Sequence, residues 1–150
     1  MNFSDSLIID APREHLFALS QDYARRLQWD PFLKSAELLH GATEPAVGVR
    51  AWCVSHDGRG METEYVSYNP PQATAVRMTR GPWILKSFAG SWRFDEMTCS
   101  RTRVTFTYHF QVRPACISWL LTPIIARRFS RQMRLRLEAV KAFAEGCESQ

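Results

Sequence analysis

The sequence has none of the short patterns that metal, phosphate or acyl-transfer chemistry needs. Its four cysteines, Cys53, Cys99, Cys116 and Cys147, are scattered, with no C-x-x-C pair and no histidine at ligand spacing. A metal site is therefore not expected, and free thiols are. The H-E-x-x-H, Walker and dinucleotide glycine patterns are missing, as are a G-x-S-x-G elbow and a recognisable Cys–His partnership. Phosphate handling, metal hydrolysis and nucleophilic catalysis lose their support together. The first ten residues carry acids and lack a basic segment followed by an apolar run, which argues against a signal peptide. The longest apolar stretch, Ile117 to Ile125, is broken by Thr122-Pro123 and is far short of the ~20 residues of a membrane span. With no repeat, low-complexity tract or linker, residues 1–150 are expected to form a single domain in a reduced, cytoplasmic setting. No cofactor is implied.

What is present is a globular composition with an aromatic surplus. Hydrophobic residues at 45% and charged residues at 23% exclude global disorder. A chain of this length buries about 68–70% of its unfolded surface, enough for a core and a modest cavity. The net charge of +4 is too mild for a nucleic-acid footprint unless it is clustered, and no DNA partner is expected.

Periodicity then divides the chain. Leu7, Ile8 and Ile9 read as a first strand. Asp10 or Ala11 is placed to cap a helix whose first turn holds Pro12 and Glu14, with Leu16, Phe17 and Leu19 on its apolar side. A second short helix is expected from Tyr23 towards Trp29, stopped by Asp30-Pro31 because the residue before proline disfavours the helical region. Trp29 reads as a packing anchor for these helices. From about Ser35 to Val112 the period is two. Five breaks interrupt it: Gly41 to Gly48, His56 to Gly60, Asn69-Pro70-Pro71, Arg80-Gly81-Pro82 and Asp95 to Ser100. Six successive antiparallel strands follow. Asp57-Gly58 fits a type I′ hairpin turn, and Val66 breaks the phase of its strand in the manner of a bulge.

After Pro114 the period becomes helical. Ile117, Leu120, Leu121, Ile124 and Ile125 lead, across an expected restart at Thr122-Pro123, to Phe129, Met133, Leu137, Val140 and Ala144, with Gly146 as the stop. So long a helix with one apolar stripe must lie on something apolar, and the inner face of the sheet is the only surface large enough. The expected fold is therefore α+β: a curved, seven-stranded antiparallel sheet gripping a long C-terminal helix, with two short helices after the first strand.

Where a bent sheet and a straight helix diverge, side chains or a guest must fill the gap. Alternation aims Phe88, Trp92 and Phe94 of one strand and Phe106, Tyr108 and Phe110 of the next at that space, together with Tyr65 and, from neighbouring strands, Cys53 and Met78. Phe129, Gln132 and Met133 face them from the helix, and Gly90 leaves room. Inward aromatics at period two are first of all core residues, so a cavity rests on the ensemble rather than on any one of them. Tyr65, Tyr108 and Arg128 are the candidates for proton transfer or ligand orientation. Of the histidines, His15, His56 and His109 are no obvious bases for a pocket, and His40 could point either way. The acid-free run Arg127, Arg128, Arg131, Arg134 and Arg136 divides on a helical wheel: Arg127, Arg131 and Arg134 project outward, while Arg128 and Arg136 flank the seam with Gln132. The outer three suit a solvated face or a transient contact with an anionic membrane surface or large assembly.

Several segments resemble one superfamily. Ile9-Asp10-Ala11-Pro12-Arg13-Glu14-His15-Leu16-Phe17 is similar to the I-x-A-P-x-E-x-V-F opening of the START-related SRPBCC proteins, and Asp22, Arg26 and Trp29-Asp30-Pro31 resemble the segment that follows in them. Asn69-Pro70-Pro71, Thr102-Arg103-Val104 and the arginine-rich final helix complete the likeness, whose nearest branch is the polyketide cyclase/dehydrase and lipid-transport group that includes coenzyme-Q-binding proteins. The resemblance implies a helix-grip fold whose cavity holds a lipid, quinone, polyketide or other small hydrophobic molecule. It leaves open whether the chain carries its ligand, cyclises it with Tyr or Arg side chains, or acts as an adaptor. Oligomeric state is not legible.

Overall fold

The computed structural model describes residues 2–148, with side chains to residue 146, so Cys147 lies outside the described side chains. In chain order the elements are β1 (Asn2–Ile9), α1 (Arg13–Gln21), α2 (Tyr23–Trp29), β2 (Leu33–Leu38), β3 (Arg50–Ser55), β4 (Gly60–Asn69), β5 (Ala73–Arg80), β6 (Leu85–Thr98) and β7 (Arg101–Val112). A 3-10 turn at Ala115–Ile117 then leads into α3 (Ser118–Glu148). The seven strands form one sheet in the order β1-β7-β6-β5-β4-β3-β2, every neighbour antiparallel. Strands β2 to β7 are thus a meander, and α1 and α2 carry the chain from one edge of the sheet to the other. The expected helix-grip architecture is the observed one.

Local chemistry explains most boundaries. Asp22 caps α2, its Oδ1 accepting from the backbone N–H groups of Ala24 and Arg25 at 3.1 and 3.2 Å. Asp10 does not cap α1; the helix begins after Pro12 with no side-chain cap, and Asp10 instead accepts from Arg101 Nε at 2.9 Å. Next to it the buried Thr102 hydroxyl donates to the Ala11 carbonyl at 2.8 Å, tying the β1–α1 junction to β7. The β4–β5 register shifts between Tyr65 and Ser67, so Val66 is the bulge residue, with its side chain exposed. At the β3–β4 connection only Gly58 takes positive φ, at 86°. Asp57 does not take the positive φ that a type I′ turn needs, and it accepts from Ser55 Oγ and from the Arg59 N–H, so the turn is a longer loop than the expected type I′.

Helix α3 departs from expectation at both ends. It does not restart at Thr122-Pro123, because Pro114 and the 3-10 turn have already wound the chain by then. Pro123 therefore lies inside the helix and removes one backbone bond, near a turn whose outer side chains face water. At the other end the helix continues through Gly146 to Glu148. Its second half is fully docked: Met133, Leu137 and Ala144 have no exposed surface and Val140 has 2%. They pack with Ile9, Leu16, Phe17, Leu19, Trp29, Phe94 and Val104 in the main core. Met133, Leu137 and Val140 each contribute roughly 1.5–3 kcal/mol by leaving water. The first half is different. Ile117, Leu120 and Ile124 stay exposed, Ile124 at 63%, although the apolar spacing aimed them inward.

Candidate functional site

Below that loosely seated half of α3 lies a cavity of about 360 Å³. Its floor is the concave face of β3 to β7. Cys53, Thr63, Tyr65, Val76, Phe88, Gly90, Trp92, Phe106 and Tyr108 all reach it, following the strand alternation. Its roof is α3, through Leu121, Ile124, Ile125, Arg128, Phe129 and Gln132. The connections after β5 and before β2 add Pro82, Ile84 and Phe32. The rings are locked edge to face. Phe129 lies 5.6 Å from Phe88, 5.7 Å from Tyr108 and 5.2 Å from Phe110, while Trp92 and Phe106 are 4.0 Å apart. Gly90 contributes by lacking a side chain, since a Cβ there would lie against the ring of Tyr108 at 3.5 Å.

The predicted ligand contacts separate into two groups. Cys53, Tyr65, Phe88, Trp92, Phe106, Tyr108, Phe129, Gln132 and Arg128 line the cavity. Phe94, Met133 and Met78 do not. Phe94 shares the inward face of β6, but Phe17 of α1 covers it at 5.6 Å and Trp92 stacks on it at 6.1 Å. Met133 is sealed in the main core. Met78 joins Met61 in the smaller apolar cluster around Leu85, Phe110 and Val112. Trp29 is an anchor, as read from the sequence: it is buried edge-on to Trp92, and its Nε1 donates to the Leu19 carbonyl at 3.4 Å. No histidine lines the cavity.

The closed end is polar, and most of it comes from α2 and its flanks. Asp30, its side chain wholly enclosed, accepts from Arg26 Nη2 at 3.2 Å and from Arg136 Nε at 3.0 Å, with Arg136 Nη2 in ion-pair contact at 2.9 Å. The Phe32 N–H donates to its other oxygen at 2.9 Å. Burial pushes the Asp30 carboxyl up, but Arg136, Arg26 and the Phe32 N–H outweigh that and hold it below its ordinary value. Arg136 also donates to Tyr108 Oη at 2.7 Å. Beside it Tyr65 donates to Gln21 Oε1 at 2.7 Å, with the Tyr23 hydroxyl 2.7 Å from Tyr65 Oη. Burial raises the pKa values of Tyr23, Tyr65 and Tyr108 and of the Cys53 thiol, so all four are neutral at physiological pH.

Of this polar group, sequence reasoning singled out Tyr65 and Tyr108 and placed Arg136 at the seam. It missed Gln21, Tyr23, Arg26 and Asp30 as site residues. Arg26 and Asp30 have the i, i+4 spacing of an ordinary surface ion pair, and only the fold turns that pair inward. At the open end Arg128 Nη2 donates to Asp57 Oδ2 at 3.0 Å, a bridge from α3 to the β3–β4 loop across the mouth. The outer arginines face solvent as expected, and Arg134 is held by Asp5 and Glu138. No group of histidine, cysteine or acidic side chains among the described residues could hold a metal ion. No described helix is long and apolar enough to cross a membrane.

Comparison with known proteins gives this geometry a setting. A family model described as polyketide cyclase / dehydrase and lipid transport matches residues 1–145. No curated protein matches the sequence significantly. Among solved structures, the chain is similar to the Zhui aromatase/cyclase of a Streptomyces species at 17% identity, with 97% of this chain and 93% of that one covered and a TM-score of 0.79. A START superfamily protein from Mycobacterium smegmatis is similar at 13% identity, covering 97% and 98%, with a TM-score of 0.79. The di-domain ARO/CYC BexL, from the BE-7585A biosynthetic pathway, is similar at 14% identity and a TM-score of 0.74; 94% of this chain is covered, and it spans 45% of that protein. At these identities the likeness is one of fold.

Proposed function

The chain belongs to the polyketide cyclase/dehydrase and lipid-transport family, and from that premise we propose that it binds a small hydrophobic molecule in the cavity between the sheet and α3. One observation carries this reading: the sheet curves away from the first half of α3 and leaves about 360 Å³ walled by Phe88, Trp92, Phe106, Phe129 and Ile125. That volume equals roughly a dozen waters at ~30 Å³ each and falls at the small end of ligand pockets, which run about 300–1,000 Å³. Burying roughly 200–300 Å² of apolar guest contributes about 5–7 kcal/mol before ordering costs. Shape and apolar contact suffice for useful affinity without covalent chemistry.

Binding or carriage is favoured over cyclisation by the state of the phenols. The Tyr65 hydroxyl is committed to Gln21 and Tyr23, and Tyr108 accepts from Arg136. Burial raises both pKa values, which suits orienting a guest better than exchanging protons with it. The test is a titration with the neutral dye N-phenyl-1-naphthylamine. Saturable fluorescence enhancement with unit stoichiometry is expected, and extraction of the purified protein should yield a co-purifying apolar compound. A linear response that never saturates, with nothing extracted, would sink the reading.

A further inference from the structure

The cavity is electrically lopsided. The charged residues lining it are Arg26, Arg59, Arg128 and Arg136 against Asp57 alone. At the mouth Arg59 and Arg128 share Asp57 where water screens them. At the closed end no such screening exists. Arg26 and Arg136 retain 8% and 7% of their surface, and both lean on the single carboxylate of Asp30. Two guanidinium groups against one carboxylate leave one positive charge uncompensated inside the protein, a strongly disfavoured arrangement.

Among the described residues nothing else in that end supplies the missing charge. The nearby phenols and the Cys53 thiol are neutral. Aromatic faces offset part of it, with Arg136 Cζ 5.2 Å from the Phe106 ring and 5.5 Å from Phe32, and Arg26 Cζ 5.4 Å from Tyr23. Donors are also left over: Arg26 Nε is buried with no acceptor, and no described group accepts the proton of the Tyr108 hydroxyl, which itself accepts from Arg136.

We propose that the guest is an amphipathic monoanion, whose apolar body fills the aromatic part of the cavity and whose single carboxylate, enolate or phenolate head supplies the counter-charge to Arg26 and Arg136. The inference rests on the cavity reading above and adds the head group to it. A dianion overshoots the one charge available, and a cationic head meets two arginines.

The test compares 2-naphthoate with 2-naphthamide by isothermal titration calorimetry, since the two share a skeleton and differ mainly in charge. In the wild-type protein naphthoate is expected to bind about tenfold tighter or more, as charge-assisted pairing to buried arginine implies. In Arg26→Gln, where Asp30 and Arg136 remain as a neutral pair, the two affinities are expected to converge to within about threefold, with an unchanged far-ultraviolet dichroism spectrum and a cooperative thermal transition as proof of folding. The wild-type comparison decides by itself if the variant does not fold. An amide that binds as well as the carboxylate overturns the anionic head while leaving the cavity reading intact, and so does an undiminished preference in a folded Arg26→Gln. Binding of N-phenyl-1-naphthylamine without either naphthalene compound has the same consequence. Failure of all three probes removes the cavity reading and this inference together.

Discussion

The two halves of α3 meet the same sheet with opposite results. From Met133 onward the helix is sealed against β1, β7 and the two short helices, and Leu137 and Ala144 have no exposed surface. Before Met133 the same kind of apolar stripe sits over a hollow, with Leu121 and Ile125 half-buried and Ile124 mostly exposed. Composition does not separate the halves. What separates them is a second layer: Leu16, Phe17 and Leu19 of α1 and Trp29 of α2 plug the space at one end, whereas at the other β3 to β5 curve off with no plug. Apolar residues thus make a core where a third element arrives and a cavity where none does.

Four substitutions sharpen that contrast. The largest effect is expected at the boundary between the halves. Asp30→Asn leaves Arg26 and Arg136 buried without a carboxylate and should cost about 3–5 kcal/mol, read from urea unfolding. Because the folded Asp30 carboxyl titrates below its unfolded value of about 3.9, its contribution is present above that pH and is lost as pH falls through the folded value. The acid limb of the stability curve therefore flattens in the variant; a limb as steep as the wild type's would contradict the assignment. In the filled half, Leu137→Ala should cost about 2–5 kcal/mol through the cavity it creates. A loss well under that range would mean the sealed end is looser than described.

Tyr65→Phe tests the polar lining. It leaves Gln21 Oε1 without its donor and should cost about 1–3 kcal/mol, with far-ultraviolet dichroism unchanged. The smallest stability change belongs to the hollow half. Val76→Phe adds a ring where there is space for one, so the midpoint should move by less than about 1 kcal/mol, yet binding of N-phenyl-1-naphthylamine should drop sharply. If that variant is strongly destabilised, the space is not vacant, and the comparison between the halves fails.

The strands were legible because one face of the sheet is wet. Val104, Phe106, Tyr108, Phe110 and Val112 alternate with Thr105, Thr107, His109 and Gln111, and their burial follows that alternation. Strand β1 was read too short: Asn2 to Ser6 carry little apolar signal, and Phe3 is the inward residue that pairs edge-on with Tyr108 and Phe110. The cavity lining was legible as a face but not in depth. Period two places Phe94 beside Trp92 without showing that α1 covers only the former. The charged end was the least legible part. Arg26 and Asp30 lie on a short helix, Arg136 lies more than a hundred residues away, and local periodicity carries no record of that meeting. Glu62 makes the same point on the outer face, where it is buried and paired with Arg50 and Thr79.

The pairing of the first strand with the last has a consequence for how the chain acquires its shape. Asn2 lies opposite His109 and Ile9 opposite Thr102, so β1 has no partner until nearly the whole meander exists. Hairpins β2 to β7 close over short spans, whereas β1 must close a loop of roughly a hundred residues, a far larger entropic step. Of the seven strands, the one made first can therefore be paired only after the one made last, and the docked half of α3 finds its full seat only once both are in place.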